Sequence, residues 1–232
     1  MKTAVYAGTR NLYADMLPAV KSLLIHSDVE KIYLLIENDA FPYALPDCVK
    51  TINVKNQQYF RPGGPNWNKK WTWMVLMRCA LTKLLPLEDR VLSLDVDTIV
   101  ELDISKLWDM PLDDVYFAAA REPAKSRPDF LYCNAGVVMY NLKKLRDGMD
   151  DRIIRELNTT PYECTDQDVI NLLCQGKIGL IPADYNVCDY TDPYQLKRII
   201  HFAAVRHWNH LPEVQKYRDI LWSEIRGGLC VS

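Results

Sequence analysis

Apolar runs and helix-spaced apolar positions alternate in the first forty residues. Thr3–Gly8 is a short apolar run that ends in glycine, which predicts a strand followed by a loop. Apolar side chains then recur every three or four positions between Tyr13 and Ser27, as expected for a helix with one buried face. Lys31–Glu37 is a second apolar run and predicts a buried strand. A strand, helix and strand in this order predict an α/β fold in which helices cover a mainly parallel sheet.

The same kind of alternation continues to the end of the chain. A long helix is predicted from about Trp67 to Leu85, and the strand Arg90–Leu94 follows it. We find no internal repeat and no linker, so the sequence predicts one domain over residues 1–232. The remaining predicted elements are the strands Val115–Ala120, Ala135–Asn141, Ile178–Pro182 and Arg198–Ala204, and the helices Lys143–Asn158 and Asp166–Gly176.

Composition narrows the class of protein. The chain has 232 residues, of which 49% are hydrophobic and 25% charged, and the formal net charge is -2 with no block of like charge. This balance argues against a nucleic-acid partner. No apolar run is as long as a membrane span and the N-terminus lacks a signal core, so we expect a cytoplasmic protein. The amphipathic segment 211–232 offers peripheral membrane contact or core packing, of which the second is favoured.

Seven cysteines are scattered along the chain. Their number is odd and no two of them form a CxxC pair, so neither a disulfide framework nor a zinc site is predicted. We expect all seven to be reduced and to serve as small buried hydrophobic residues.

Candidate chemistry begins where the strand Arg90–Leu94 ends. Asp95 and Asp97 follow this apolar strand directly. In an extended segment, residues i and i+2 point in the same direction, so both carboxylates can converge on one cation. Ligands of open α/β sheets bind beyond the carboxyl ends of the strands, and carboxylate oxygens suit magnesium or manganese.

Two enzyme classes fit the stretch LSLDVDTIV. In glycosyltransferases with a DxD motif, the two carboxylates hold a divalent ion on the diphosphate of a sugar nucleotide. In haloacid-dehalogenase-type phosphatases, Asp95 would be the nucleophile and Asp97 the acid or base. These residues alone leave both classes open.

Other stretches of the sequence distinguish the two classes. The chain resembles glycosyltransferase family 8, the group that contains glycogenin and bacterial lipopolysaccharide galactosyl- and glucosyltransferases. The resemblance rests on five stretches that follow one another in the family's order and extend over most of the chain: AVYAGTRNLYADMLPAVKSLLIHS, MRCALTKLLPLEDRVLSLDVDTIVELDISKLWDM, NAGVVMYNLKKLR, TDQDVINLL and IIHFAAVRHWN. It implies a GT-A fold and retaining transfer of a hexose, glucose or galactose, from a UDP-sugar to a saccharide or glycoconjugate acceptor. It also implies manganese as the usual metal, with magnesium as the alternative.

The resemblance assigns roles to particular residues. A nucleotide-binding part of about residues 1–110 and a sugar- and acceptor-binding part of about 111–232 are implied. The implied metal ligands are Asp95, Asp97 and His201, and the implied catalytic residues are Asp166 and Gln167. The implied donor-binding residues are Ala7, Thr9, Asn11, Tyr13, Arg78, Val96, Asn134, Ala135, Gly136, Arg206 and His207.

Two segments depart from the family pattern. The first loop offers Thr9, Arg10 and Asn11 where many members carry an acidic residue for the uracil ring. The C-terminal motif is commonly HFxGxxKPW, in which the lysine contacts diphosphate, but here Ala204 replaces the glycine and Arg206 or His207 must replace the lysine. The stretch NKKW, residues 68–71, is a second basic candidate.

Three hypotheses therefore stand. The first is a metal-dependent retaining glycosyltransferase, and the others are a phosphatase that uses Asp95 and Asp97 or a sugar-nucleotide binding module without turnover. For the transferase, front-face return is favoured over a double displacement through Asp166 or Gln167, because an amide is a poor nucleophile. The sequence does not predict an oligomeric state.

Overall fold

A seven-stranded sheet forms the centre of the protein, which we describe from a computed structural model over residues 1–68 and 70–225. The strands of this sheet are β1 (Thr3–Ala7), β2 (Lys31–Ile36), β3 (Val49–Asn53), β4 (Arg90–Leu94), β6 (Phe117–Arg121), β7 (Cys133–Asn141) and β8 (Ile178–Leu180). Their order in the sheet is β3-β2-β1-β4-β7-β6-β8. The pairs β1–β2, β2–β3, β1–β4 and β6–β8 are parallel, whereas β7 runs antiparallel to β4 and β6. The predicted α/β fold is confirmed.

Helices cover both faces of this sheet. The α-helices are α1 (Tyr13–His26), α2 (Leu81–Leu84), α3 (Ser105–Trp108), α4 (Leu142–Leu145), α5 (Met149–Thr159), α6 (Thr165–Leu173) and α7 (Pro212–Arg218). Short 3-10 helices span Arg10–Leu12, Trp73–Ala80, Ala183–Tyr185, Trp208–His210 and Trp222–Glu224. One buried cluster joins α1 to one sheet face, and a second joins the Trp73–Ala80 helix, α5 and α6 to the other. None of the helices in the described residues is long and apolar enough to cross a membrane.

The predicted helix Trp67–Leu85 is wrong over much of its length. Residues 67 and 68 lie in a turn, and the helical part consists of the 3-10 helix Trp73–Ala80 followed by the single α-turn α2. The Trp67 and Trp73 rings stack with centroids 4.9 Å apart, and Asn68 Oδ1 accepts from the Trp73 backbone N–H at 2.8 Å. These contacts between residues five and six apart close a loop and stop the helix from extending backwards.

A second, two-stranded sheet brings distant parts of the chain to the edge of the first. Its strands are β5 (Thr98–Val100) and β9 (Ile199–His201), which pair with Thr98 opposite His201. The Phe202 backbone N–H then donates to the carbonyl of Asp97 at 2.9 Å. Neither β5 nor β3 is among the predicted strands. Pairing of β5 with β9 places His201 and Phe202 beside the segment that follows β4.

The cysteines differ in their environment. Six of the seven lie in the described residues. Cys79, Cys133 and Cys174 are buried as expected, and Cys48 and Cys164 are half-buried. The prediction is wrong for Cys188, which is exposed because it follows β8 in a surface loop. Cys230 lies outside the described residues.

The amphipathic C-terminal segment packs on the protein as far as residue 225. Val214 and Tyr217 of α7 are buried, and the Tyr217 hydroxyl donates to the Val100 carbonyl at 3.2 Å. Arg218 forms an ion pair with Asp15 of α1 at 2.9 Å. The rest of the segment, residues 226–232, lies outside the described residues.

Asn66 anchors the loop before Trp67, and its replacement tests this anchor. Its buried amide donates to the carbonyls of Leu157 and Thr160, both at 2.7 Å, and accepts from the Tyr162 N–H at 2.8 Å. We expect Asn66→Ala to lower the free energy of unfolding by about 2–3 kcal/mol, because buried backbone groups lose their partners. Thermal unfolding should show a fall in Tm of roughly 4–12 °C. The exposed Asn56→Ala is the control, and an equal Tm for both variants would contradict this role.

Candidate active site

Three potential metal ligands meet where β4 ends. Asp95, Asp97 and His201 each offer one ligand atom within 4.8 Å of the others. His201 Nε2 lies 3.5 Å from Asp95 Oδ2 and 3.5 Å from Asp97 Oδ1. The two aspartates follow β4, and the pairing of β5 with β9 brings the histidine to them. The geometry is that of a small site for a cation with mixed oxygen and nitrogen ligands.

Asn186 sets the orientation of the imidazole. His201 Nδ1 donates to Asn186 Oδ1 at 2.9 Å, so Nε2 faces the carboxylates with its lone pair. The Asn186 amide is itself oriented, because its Nδ2 donates to Asn134 Oδ1 at 3.0 Å. A histidine held through its other ring nitrogen in this way is prepared to bind a metal. No feature of the sequence around Asn186 predicts this contact.

Gly136 makes room for the same ring. A Cβ atom at this position would lie 2.1 Å from His201 Cε1 and 2.4 Å from Nδ1, well inside contact distance. The close approach that Gly136 permits is therefore made by the imidazole, and residue 136 lies behind the ring. The adjacent Asn134 and Ala135 line the cavity in front.

The charges of the three ligands are coupled. Burial favours the neutral form of His201, but the Cys188 sulfur, 3.8 Å from Nδ1, and the carboxylates of Asp97 and Asp95 outweigh it and raise the pKa of His201 to about 9. Burial also raises the pKa of Asp95, with Arg78 opposing and Asp97 adding to the shift. The two carboxylates therefore favour a positive charge beside them, which a cation held by the three ligands would supply.

Arg78 joins this triad to the opposite wall. The guanidinium is 5% exposed, pairs with Asp95 through Nη1, and lies 2.6 Å from Asp166 Oδ2 through Nη2. Nη1 also donates to the Ala135 carbonyl at 2.8 Å. Burial raises the pKa of Asp166, and Arg78 opposes that shift. These two aspartates compensate the buried charge of Arg78.

Gln167 is held at both ends of its amide. Its Oε1 accepts from the Ala135 backbone N–H at 2.8 Å, and its Nε2 donates to the Tyr132 hydroxyl at 3.1 Å. Tyr132 in turn donates to Asp168, whose other oxygen accepts from the Cys164 N–H at 2.7 Å. Gln167 thus lines the cavity in a fixed orientation, and Asp168 accepts from the backbone of the residue that precedes α6.

Three adjoining cavities open around these groups. The first, of about 380 Å³, contains the metal-ligand triad together with Arg78, Asp166 and Gln167. The second, of about 230 Å³, is lined by Ala7, Val96 and the two aspartates of the DxD motif, and the third, of about 490 Å³, by Thr9, Asn11 and Glu37. Trp71 lines all three and Lys70 lines the first and third. The cavities share Trp71, Lys70 or the DxD carboxylates as lining residues and lie beyond the carboxyl ends of β1 and β4, and we refer to the three together as the cleft.

Three of the nominated side chains stand apart from this cleft. Tyr13 is 1% exposed, and its hydroxyl accepts from the Glu37 N–H at 2.8 Å and donates to Asn38 Oδ1 at 3.1 Å. Arg206 and His207 are exposed and line none of the three cavities. The structure thus brings the other nominated residues together and leaves these three outside.

The altered C-terminal motif keeps an unusual backbone. Ala204, where the family commonly has glycine, has a φ of 61° and lines the first cavity. A left-handed conformation costs an alanine roughly 1–2 kcal/mol. The loop geometry for which glycine is suited is therefore retained at this position without glycine.

Comparisons with known proteins agree with this geometry. The sequence profile of Glycosyl transferase family 8 matches residues 19–211. Glycosyltransferase GlyE of Streptococcus pneumoniae serotype 4 is 28% identical over 256 residues, which cover 95% of this chain and 60% of GlyE. GlyD of the same organism is 28% identical over 257 residues, which cover 95% of this chain and 30% of GlyD. The chain therefore spans 60% of the length of GlyE and 30% of that of GlyD.

Solved structures show the same fold. The crystal structure of the galactosyltransferase LgtC with donor and acceptor sugar analogs superposes with a TM-score of 0.76 at 22% identity, covering 93% of this chain and 95% of LgtC. The structure of GlyE gives a TM-score of 0.74 at 22% identity, covering 97% of this chain and 62% of GlyE. The central sheet and its flanking helices are those of the GT-A fold. With the family profile spanning most of its length, the chain belongs to glycosyltransferase family 8.

Proposed function

We propose that this protein is a metal-dependent retaining hexosyltransferase that moves glucose or galactose from a UDP-sugar to a saccharide or glycoconjugate acceptor. The observation that carries this proposal is the triad Asp95, Asp97 and His201, which opens into the same cavity as Arg78, Asp166 and Gln167. The galactosyltransferase activity in the name of LgtC supports a hexose. Family membership leaves the phosphatase hypothesis without support.

Manganese is the proposed metal, with magnesium as the alternative. Two carboxylates and one neutral imidazole suit manganese, whereas magnesium prefers oxygen ligands alone. When bound, the ion would neutralise charge on the departing diphosphate. Asp95 is held by Arg78 and His201 by Asn186, so these ligands keep their positions without the ion.

The nucleotide is assigned to the N-terminal part, about residues 1–110. Thr9, Asn11 and Glu37 line the third cavity, and Ala7 and Val96 line the second, next to the DxD carboxylates. Glu37 Oε1 accepts from the Arg10 N–H at 2.8 Å, so a carboxylate lies beside the first loop although the loop itself has none. This carboxylate supports recognition of a base that donates a ring N–H, such as uracil.

The donor sugar and the acceptor are assigned to residues of about 111–232. Asn134, Ala135, Asp166 and Gln167 line the first cavity near the triad. Asp166 is paired with Arg78 and Gln167 is bound at both ends, so neither is free to attack the sugar as a nucleophile. These contacts support retention by front-face return, in which the leaving phosphate takes the acceptor proton.

Release of UDP from a panel of UDP-sugars tests this function. We expect release from one donor with manganese and loss of about 100-fold or more in Asp97→Asn, because a metal ligand that stabilises the leaving group is weakened. The control is Asp129→Asn, which removes an exposed carboxylate outside the three cavities. Nucleotide binding without release in the presence of acceptors would identify a binding module, and failure of every UDP-sugar to bind with manganese would refute the donor assignment.

Replacement of Gly136 tests the metal site independently of turnover. In Gly136→Ala the new methyl group must displace the His201 ring, so we expect manganese affinity to fall 10- to 100-fold, as for loss of a group that orients a ligand. Titration calorimetry with manganese measures this effect. Gly179→Ala also adds a methyl group to the central sheet, 3.0 Å from Ala118 Cβ, and serves as the control. Equal manganese affinity in Gly136→Ala and Gly179→Ala would contradict the assignment of His201 as a metal ligand.

A further inference from the structure

The cleft needs a free cation for an anionic donor, and the structure restricts where that cation can be. The residues that line the three cavities include four carboxylates, Glu37, Asp95, Asp97 and Asp166, and two permanent cations, Lys70 and Arg78. Arg78 is already paired with Asp95 and Asp166. Its charge is therefore already compensated within the protein, and it contributes little attraction for a diphosphate.

The expected substitutes for the lysine of the C-terminal motif do not fill this need. Arg206 and His207 are exposed and line none of the three cavities. His207 has a φ of 56° and begins the 3-10 helix Trp208–His210, so its backbone is fixed by a turn. After the proposed metal ligand His201, this segment contributes Ala203 and Ala204 to the first cavity and Trp208 to the second, and none of these three carries a charge.

Lys70, unlike Arg206 and His207, lines the cleft, and unlike Arg78 it is not paired with a carboxylate of the described residues. It is exposed and lines both the first cavity, with the metal-ligand triad, and the third, with Thr9 and Asn11. Within residues 1–68 and 70–225, no carboxylate forms an ion pair with it. Its ammonium lies 4.3 Å from the centroid of the Trp71 ring, a cation–π contact that leaves its hydrogen-bond donors available.

A fixed base supports Lys70 and Trp71. Trp67 and Trp73 stack with an angle of 10° between their rings, and Asn68 Oδ1 accepts from the Trp73 N–H. Asn66 holds the preceding loop to the end of α5 through its buried amide. We call Trp67, Asn68 and Trp73 the tryptophan clamp. The clamp joins residues on both sides of Lys70 and Trp71, and these two side chains line the cleft.

We propose that Lys70, held against Trp71 by the tryptophan clamp, is the diphosphate-binding cation of this protein, in place of Arg206 and His207. The inference rests on the proposed function for the identity of the donor. Lys70 borders both the cavity of the metal ligands and the cavity assigned to the nucleoside, so one ammonium can reach phosphate oxygens that lie between them. An ammonium contributes as a point charge with three donors and does not require the two-pronged geometry of an arginine.

Binding of manganese with pyrophosphate, UDP or uridine tests this assignment without turnover. We expect Lys70→Ala to weaken pyrophosphate and UDP about 10-fold or more and to leave uridine unchanged, and Lys70→Arg to restore most of the loss. Lys106→Ala removes an exposed positive charge from α3 and is the control for net charge. The double variant Arg206→Ala/His207→Ala should bind all three ligands as the wild type does.

The possible results separate this inference from the proposed function. Loss of pyrophosphate affinity in Lys70→Ala in a protein that binds no UDP-sugar would support the Lys70 site and refute the donor. Unchanged UDP affinity in Lys70→Ala, with loss in the double variant, would overturn the Lys70 site and leave the donor intact. A wild-type protein that binds neither pyrophosphate nor UDP with manganese would overturn both.

Discussion

The buried guanidinium of Arg78 is the contact on which the candidate site depends. It joins Asp95 after β4, Asp166 in α6 and the carbonyl of Ala135 in β7, three segments that are far apart in the chain. Removal of one partner from a buried ion pair typically costs 3–5 kcal/mol, because the remaining charge stays buried and uncompensated. Arg78 therefore constrains the sheet edge and α6 together, and it fixes one carboxylate of the DxD motif.

Hydrogen bonds between amide groups and the imidazole orient the side chains of the site that the ion pairs of Arg78 do not reach. Asn134 accepts from the Gly136 N–H and from Asn186, and Asn186 accepts from His201. On the opposite wall, Gln167 is bound to the Ala135 N–H and to Tyr132. Polar groups held in this way need little reorganisation when charge develops on a leaving group, which is the condition for electrostatic stabilisation of a transition state.

The pattern of apolar and polar residues predicted those features of the fold and the site that are determined by residues close together in the sequence. The apolar strand predicts where Asp95 and Asp97 lie, and the order of strands and helices predicts the α/β class. The expected extended segment is wrong, because Val96 and Asp97 form a turn in which the Thr98 N–H donates to the Asp95 carbonyl at 3.2 Å. His201 required the family resemblance, because only the pairing of β5 with β9 brings it to the aspartates. The helix predicted from Trp67 failed because a tertiary contact, the stacking of Trp67 on Trp73, overrides the helical periodicity. Sequence position alone also could not show that Arg206 and His207 line none of the cavities.

The division of charge in the cleft has a consequence for the order of binding. Arg78 is paired with two aspartates, and the four carboxylates that line the cleft outnumber its cations. The resulting excess of negative charge would repel a sugar diphosphate. A divalent cation on Asp95, Asp97 and His201 removes that excess, and Lys70 then adds a positive charge that no carboxylate of the described residues takes up. The fixed charges thus favour binding of the cation before the donor. The exposed ammonium of Lys70 would then bind the donor in a cleft whose negative charge the cation has already reduced.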